Sequence, residues 1–445
     1  MPSNSRLTKV DRAPARRVSA PSPISRWAPR EYRWVLLAML LPATIFEGYD
    51  ITIFHLCTPD ITRAFHLSDA VVGVIAATVR AGGILSFFVV MLADRFGRKP
   101  LMTVTVLCYA LLTLMTALSH GALSFTLFQS AAQIFLAAEF GIAVTMISEE
   151  FPDTQRGRAV SILLMAAFLG VAAAGLLYGR MAESRLGWRG MYLVGIAPLM
   201  LIAWLRRRMR ETARFAAIVA ERAAEGLKPP AIFAPLRQCF EPLRGPWAGR
   251  MILIAVLCNC VGLVGGPVIS FFSLYARRDH GWAAAQVGTA FVSAYLAGCC
   301  GTMLSGYLLD RLGRRATTAG FFLAAGVAAV VLFQSSSNGM IFLALLLTMF
   351  AYQAARTATC ALGAELFPTE TRATGFSLTV QVVGQLGWTL APLGVGVLSA
   401  PMRGLGNAAA IFAVGPVVGA IIAILLVPET RGQTLEELSA PACTD

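Results

Sequence analysis

Five ionisable residues interrupt apolar stretches in which solvated charges are out of place: Glu47, Asp50, Arg80, Glu139 and Arg356. A charge at such a place is costly and marks a functional site by default. The carboxyls of Glu47, Asp50 and Glu139 are candidate proton carriers. The guanidinium groups of Arg80 and Arg356 are candidate anion ligands, because their planar fork matches a carboxylate. Glu47 and Asp50 are three apart and share one face of a helix. At a helical rise of 1.5 Å per residue, Arg80 stands about 21 Å from Asp94, close to the height of those two acids. Arg80 is therefore either their ion-pair partner or a ligand for a carboxylate substrate. Glu139 lies shortly before Glu149, and Arg356 shortly before Glu365, so two opposite charges reach similar depth. Their mutual neutralisation across a cavity is the expectation. Tyr49, Gln353, Gln385 and Trp388 are further candidate substrate contacts, although each taken singly also suits helix packing.

Other chemistry finds little support. No nucleophile elbow, phosphate loop or zinc spacing occurs, which argues against an enzyme. The nine cysteines show no metal spacing and fall mostly in apolar segments, where they pack as small hydrophobes. The four histidines form no ligand set. No cofactor and no metal is expected.

These side chains must be held by membrane helices. Apolar residues make up 57% of the 445, charged ones only 14%, and mean hydropathy is +0.67. A soluble domain carries about a quarter charged residues. With roughly 20 apolar residues needed per crossing, twelve spans are predicted: 34–56, 70–92, 100–118, 123–148, 158–179, 189–205, 251–275, 284–308, 317–335, 339–363, 374–399 and 407–427. The net charge of +13 would suggest nucleic acid in a soluble protein. Here the basic residues fall between spans, and cytoplasmic termini place roughly 28 of them on the inside. The expected organisation is an N-terminal cytoplasmic arm (1–33), a six-helix bundle (34–205), a cytoplasmic central loop (206–250), a second bundle (251–427) and a cytoplasmic tail (428–445). The arm is rich in Ser, Pro and Arg and reads as disordered. In the central loop, FAAIVAERAAEG is expected to form a short surface helix.

The two bundles repeat one another. MLADRFGRKP (Met91–Pro100) returns as YLLDRLGRR (Tyr307–Arg315), and EEFPDTQRG (Glu149–Gly157) returns within AELFPTETRATG (Ala364–Gly375). Asp310, Gly313, Arg314, Pro368 and Arg372 each lie 216 positions after Asp94, Gly97, Arg98, Pro152 and Arg156. Two independent motifs doubled at one offset mean two copies of one membrane unit. The Asp-Arg-x-Gly-Arg-Lys/Arg loop resembles the signature of the major facilitator superfamily of secondary transporters. The acidic-x-x-Pro-x-x-x-Arg loop resembles its sugar and metabolite branches. That resemblance implies an all-α fold of twelve transmembrane helices in two pseudo-symmetric six-helix bundles. It also implies a conformational latch formed by Asp94, Arg95, Gly97, Arg98, Glu149 and Arg156, with their counterparts Asp310, Arg311, Gly313, Arg314, Glu365 and Arg372. Asp94 would meet the start of the eleventh helix in the outward-open state; a plain topology signal is the alternative. PETRG in the tail and RETARF (Arg210–Phe215) resemble the exits that follow the last helix of each half.

FEGYD (Phe46–Asp50) resembles the acidic-Gly-aromatic-Asp stretch of the aromatic-acid:proton symporters, with Glu in place of the usual first Asp. The stretch around Glu139 resembles the fourth helix of metabolite:proton symporters. Gln129 and Gln385 stand where those families usually place arginines. The function expected is proton-coupled uptake of a small organic anion, such as an aromatic carboxylate, by alternating access. The partners expected are that substrate, protons and the lipid bilayer, with no nucleic acid, in a monomer of the cell (inner) membrane. An exporter of a related compound, or a non-transporting receptor with the same fold, are the alternatives.

Overall fold

A computed structural model of the protein describes residues 29–207, 209–226, 248–366 and 377–429, and side chains within these ranges except at a few positions that include Asp94 and Gln381. Among the described residues there is no strand. The first half comprises α1 (Pro29–Ala64), α2 (Asp69–Phe96), α3 (Arg98–Ala117), α4 (Ala122–Glu150), α5 (Asp153–Ala182) and α6 (Gly187–Arg206). A surface helix, Ala213–Ala224, follows. The second half comprises α7 (Ala248–Arg278), α8 (Ala284–Leu312), α9 (Arg314–Gln334) and α10 (Asn338–Leu366). It closes with α11, which starts irregularly at Ser377 and ends at Leu398, and α12, split into Leu405–Ile411 and Val414–Leu426. Eleven of these helices are long and apolar enough to cross a bilayer, and Val383–Leu398 is a shorter apolar one.

The halves are built alike. In the first, α2 and α3 pack on α4 and α3 packs on α6; in the second, α8 and α9 pack on α10 and α9 packs on α12. The same copying reaches single atoms. At the junctions α2–α3 and α8–α9 the chain turns through Gly97 and Gly313, with φ of +97° and +90°. There the backbone is left-handed, which glycine alone tolerates without strain. A carboxylate sits on each glycine's open face: a Cβ on Gly97 would meet Glu211 Oε2, and one on Gly313 would meet Glu429 Oε2. Glu211 Oε1 accepts from the Arg98 N–H at 3.1 Å, and Glu429 Oε1 from the Arg314 N–H at 2.9 Å. An acid thus caps the orphan N–H groups at each helix start, where the helix dipole also favours it. Glycine is needed at these turns for φ, and its missing Cβ leaves the space that the capping carboxylate occupies.

The eleventh span departs from the uninterrupted helix expected over 374–399. It opens with a π-helical turn, Ser377–Val382, and a 3₁₀ turn, Val383–Gln385, before regular helix at Leu386. Asn259 of α7 bridges the break, donating to the Val383 carbonyl at 3.1 Å and accepting from the Gly387 N–H at 2.5 Å. In a membrane interior, backbone groups freed from a helix must find such a partner.

Between the halves, α2 packs on α11, α5 on α8 and α1 on α7. The closest approaches lie at the ends remote from the Gly97 and Gly313 turns, hereafter the far face. A Cβ on Gly288 would lie 2.1 Å from the Gly175 carbonyl oxygen. Arg277 Nη1 is 2.6 Å from Asp60 Oδ1, and Tyr178 donates to Asp60 Oδ2 at 2.7 Å. Arg278 forks onto Asp69 at 2.5 and 3.2 Å. Ser273 donates to the Leu56 carbonyl at 2.8 Å, one turn inside the Asp60–Arg277 pair. The far face is therefore closed by contacts that cross from one half to the other.

Candidate functional site

Between the halves, α2 and α11 bring Arg80 and Trp388 together. The guanidinium carbon of Arg80 lies 4.5 Å from the centroid of the Trp388 ring. Tyr352 of α10 meets the same ring edge-on at 5.6 Å. Trp388 and Tyr352 fit because α7 offers glycine there: a Cβ on Gly265 would lie 2.6 to 2.8 Å from both rings. Arg356, one turn beyond Tyr352 on the same face, is exposed although it stands well inside α10. Its charge is nearest to Tyr352, Cys360, Cys258 and Tyr295, which places it against α7 and α8 rather than against lipid. Arg80 in turn is within electrostatic reach of Tyr352, Tyr295 and Arg356. On the other side of Arg80 is a small pocket lined by Ile51, Phe54, His55, Val79 and Gln133. His55 is 3% exposed, and its Nδ1 has no hydrogen-bond partner among the described residues.

The acids are elsewhere. Asp50 is buried, with Tyr109 of α3 and Gln129 of α4 as its polar neighbours. Glu47 is half-buried on the same face of α1 and feels the charge of Glu139. Two sequence-based expectations are corrected here. Arg80 does not pair with Glu47 or Asp50: it turns to α11 while they face α3 and α4, and among the described residues it makes no ion pair. Glu139 does not pair with Arg356 either. Its Oε1 lies 2.7 Å from Nη2 of Arg206, a residue expected in the central loop but found in the last turn of α6, where it is 1% exposed. The reason is angular. Under the 216-residue repeat Arg356 corresponds to Phe140, and one residue turns a helix face by about 100°. Matching depth did not mean matching direction, so Glu139 points to α6 and Arg356 to the space between the halves.

Tyr49, expected as a substrate contact, has its hydroxyl engaged within the first half. It is buried against α6, donating to the Met191 carbonyl at 2.7 Å. Its neighbour Gly48 lets α1 pass α5, since a Cβ there would lie 1.9 Å from the Ala167 carbonyl oxygen. Gln353 is buried beside Gly298 of α8. Gln385 sits at the step from 3₁₀ to α in α11.

The motif residues form one cage per half. Arg98 reaches Glu149 at 2.9 Å and the Ala93 carbonyl at 3.0 Å. Arg314 reaches Glu365 at 2.7 Å and the Leu309 carbonyl at 3.0 Å. Asp310 lies 3.5 Å from Arg314 with its side chain 81% exposed. Arg95 and Arg311 are exposed over the rings of Phe96 and Tyr307. Arg156 is partly buried in the first turns of α5. Arg372 and the side chain of Asp94, both expected in the latch, lie outside the described residues. Arg206, Glu211, Glu429, Asp60 and Arg277 were missed as site residues. The RETARF and PETRG resemblance pointed to the two capping acids, whereas nothing local distinguished Arg206 from its basic neighbours.

The sequence matches the profile of the Major Facilitator Superfamily over residues 40–392. The chain belongs to that superfamily. It is 27% identical over 390 residues to the 3-(3-hydroxy-phenyl)propionate transporter of Escherichia coli, a match covering 86% of this chain and 91% of that one. It is 25% identical over 363 residues to the cis,cis-muconate transport protein of Acinetobacter baylyi, covering 80% and 85%. Among solved structures it resembles a D-xylose-proton symporter with a TM-score of 0.75 at 18% identity, covering 91% of this chain and 100% of that one. The chain is thus a multi-pass membrane transporter of the superfamily and not an enzyme, and the branch it resembles carries organic acids.

Proposed function

We propose that this transporter imports small aromatic or conjugated organic acids together with protons, working as a monomer in the cell (inner) membrane with both termini in the cytoplasm. The observation that carries this reading is the Arg80–Trp388–Tyr352–Arg356 group between the halves. It offers flat aromatic walls for a ring and cationic forks for a carboxylate. The names of the two relatives point to the same class of substrate.

With the termini inside, the far face is the outside, and the structure is the state sealed against it. Substrate held by Arg356 and Arg80 touches both halves at once, so binding can couple to their rocking. Asp50 and Glu47 serve as the proton carriers. Neither has a basic side chain against it among the described residues, and a carboxyl crosses a low-dielectric interior more cheaply with its proton than as an anion. Glu139 is not assigned that role, because Arg206 is paired with it.

Uptake of radiolabelled 3-(3-hydroxyphenyl)propionate and cis,cis-muconate into proteoliposomes tests the reading, with the proton gradient imposed from either side. Inward accumulation driven by an inward proton gradient is expected. Arg356→Ala should abolish it, and Arg356→Lys should restore only part because the fork is lost. Asp50→Asn should retain exchange of substrate across the membrane but lose accumulation. Accumulation by Asp50→Asn at the wild-type level would dismiss the proton role. Accumulation driven only by an outward proton gradient would reverse the direction.

A further inference from the structure

The organic-acid reading leaves open how many negative charges the substrate carries, and the two relatives named above do not choose. Hydroxyphenylpropionate has one carboxylate and muconate has two. The space between the halves is more decisive. It presents two guanidinium groups, one from each half, and among the described residues neither has a carboxylate against it. Among the described residues Arg80 lies over the face of Trp388 and meets no carboxylate. Arg356 has Tyr352 and Tyr295 about it, whose hydroxyls are neutral.

The buried acids of the first half do not compensate these cations locally. Glu139 is consumed by Arg206, and Asp50 lies among Tyr109 and Gln129 rather than beside either cation. A monoanion seated on Arg356 would leave Arg80 as an unneutralised charge in a cavity that must close around it. Leaving one charge without a partner is the costly outcome for a buried set. The pocket beside Arg80 carries a second, independent sign of a missing polar ligand: His55 Nδ1, buried, unpartnered and in the pocket wall next to the guanidinium.

We propose that the site is built for a dianion, a flat dicarboxylate whose one end is held by Arg356 and whose other end is held by Arg80 with His55. The framework between the ends lies along Trp388 and Tyr352. This rests on the organic-acid reading and sharpens it. A consequence is that charge balance is conserved through the cycle by two protons per dianion, one each on Glu47 and Asp50. The loaded and the empty interior then carry the same net charge.

The test is binding to the purified full-length protein by isothermal titration, with benzoate, phthalate, isophthalate and terephthalate as the probes. These share one ring and differ in the number and separation of carboxylates. At least one dicarboxylate should bind about tenfold or more tightly than benzoate, equivalent to about 1.4 kcal/mol. In Arg80→Gln that advantage should vanish, every dicarboxylate falling to within about twofold of benzoate measured on the same variant. Arg80→Lys should keep part of the advantage, which separates loss of charge from loss of fold. Benzoate binding as tightly as every dicarboxylate would overturn the dianion proposal and leave the organic-acid reading intact. Binding of none of the four, by a protein that unfolds cooperatively, would remove both.

Discussion

At the scale of single residues, the most consequential contact is one that depth alone could not reveal. Arg206 and Glu139 form an ion pair with side-chain exposures of 1% and 8%. The Arg206 guanidinium is further placed by a 3.4 Å contact to the Met102 carbonyl. Breaking such a pair by removing one partner costs about 3–5 kcal/mol, whereas replacing both by apolar or neutral groups is often close to neutral. Arg206→Met should therefore lower the unfolding temperature of the detergent-solubilised protein strongly. Arg206→Met combined with Glu139→Gln should recover most of the loss. A double-mutant cycle measures the coupling, and strictly additive effects would mean that the two charges act independently.

At the scale of elements, the fold depends on places where two helices come closer than side chains permit. The α5–α8 contact at the far face is one. A Cβ on Gly288 would lie 2.1 Å from the Gly175 carbonyl oxygen, with backbone rather than a movable side chain in the way. Gly288→Val should not disturb the interior of either bundle, because the contact lies between them. It should hold the far ends of α5 and α8 apart. Proteoliposomes carrying it are expected to lose most of their uptake while the protein reaches the membrane in normal amount. Wild-type uptake would show that the closure of α5 on α8 is not part of the cycle. The irregular start of α11 is a second such element. Its freed backbone is answered by Asn259, so the break is held by α7 and is a built feature rather than a frayed end.

At the scale of the whole molecule, the far-face contacts set which side is sealed. Asp60 ties α1 to α7 through Arg277 and to α5 through Tyr178. Cys57 lies one turn inside Asp60 and is fully buried. Asp60→Asn keeps the shape but removes the charge that Arg277 faces, and so should shift the population toward a far-open state. Modification of Cys57 by a membrane-impermeant maleimide, read by peptide mass spectrometry, should speed up several-fold in that variant. A shift of 1.4 kcal/mol changes an open population by about tenfold, so even a modest contribution is visible. An unchanged rate would mean that the Asp60–Arg277 pair does not hold the gate.

The sequence by itself determined the twelve spans, the doubling at 216 residues and the kinship, because these depend on local hydropathy and on short motifs that stay contiguous in the chain. It also singled out Arg80, Arg356, Asp50 and Trp388, since charge and aromaticity inside apolar runs are visible without a fold. Only the tertiary structure decided how those residues are partnered. Glu139 and Arg356 share a depth but differ by one residue in register, and that angular step sends one toward α6 and the other between the halves. Arg80 reaches across to the second half because α2 packs on α11, a neighbourhood no hydropathy pattern encodes. Arg206 was hidden in a run of basic residues until the end of α6 placed it inside the bundle. The side on which the molecule is closed was likewise undetermined by the chain. It follows from contacts such as Gly288 on Gly175 and Arg277 on Asp60, which join residues far apart in the chain.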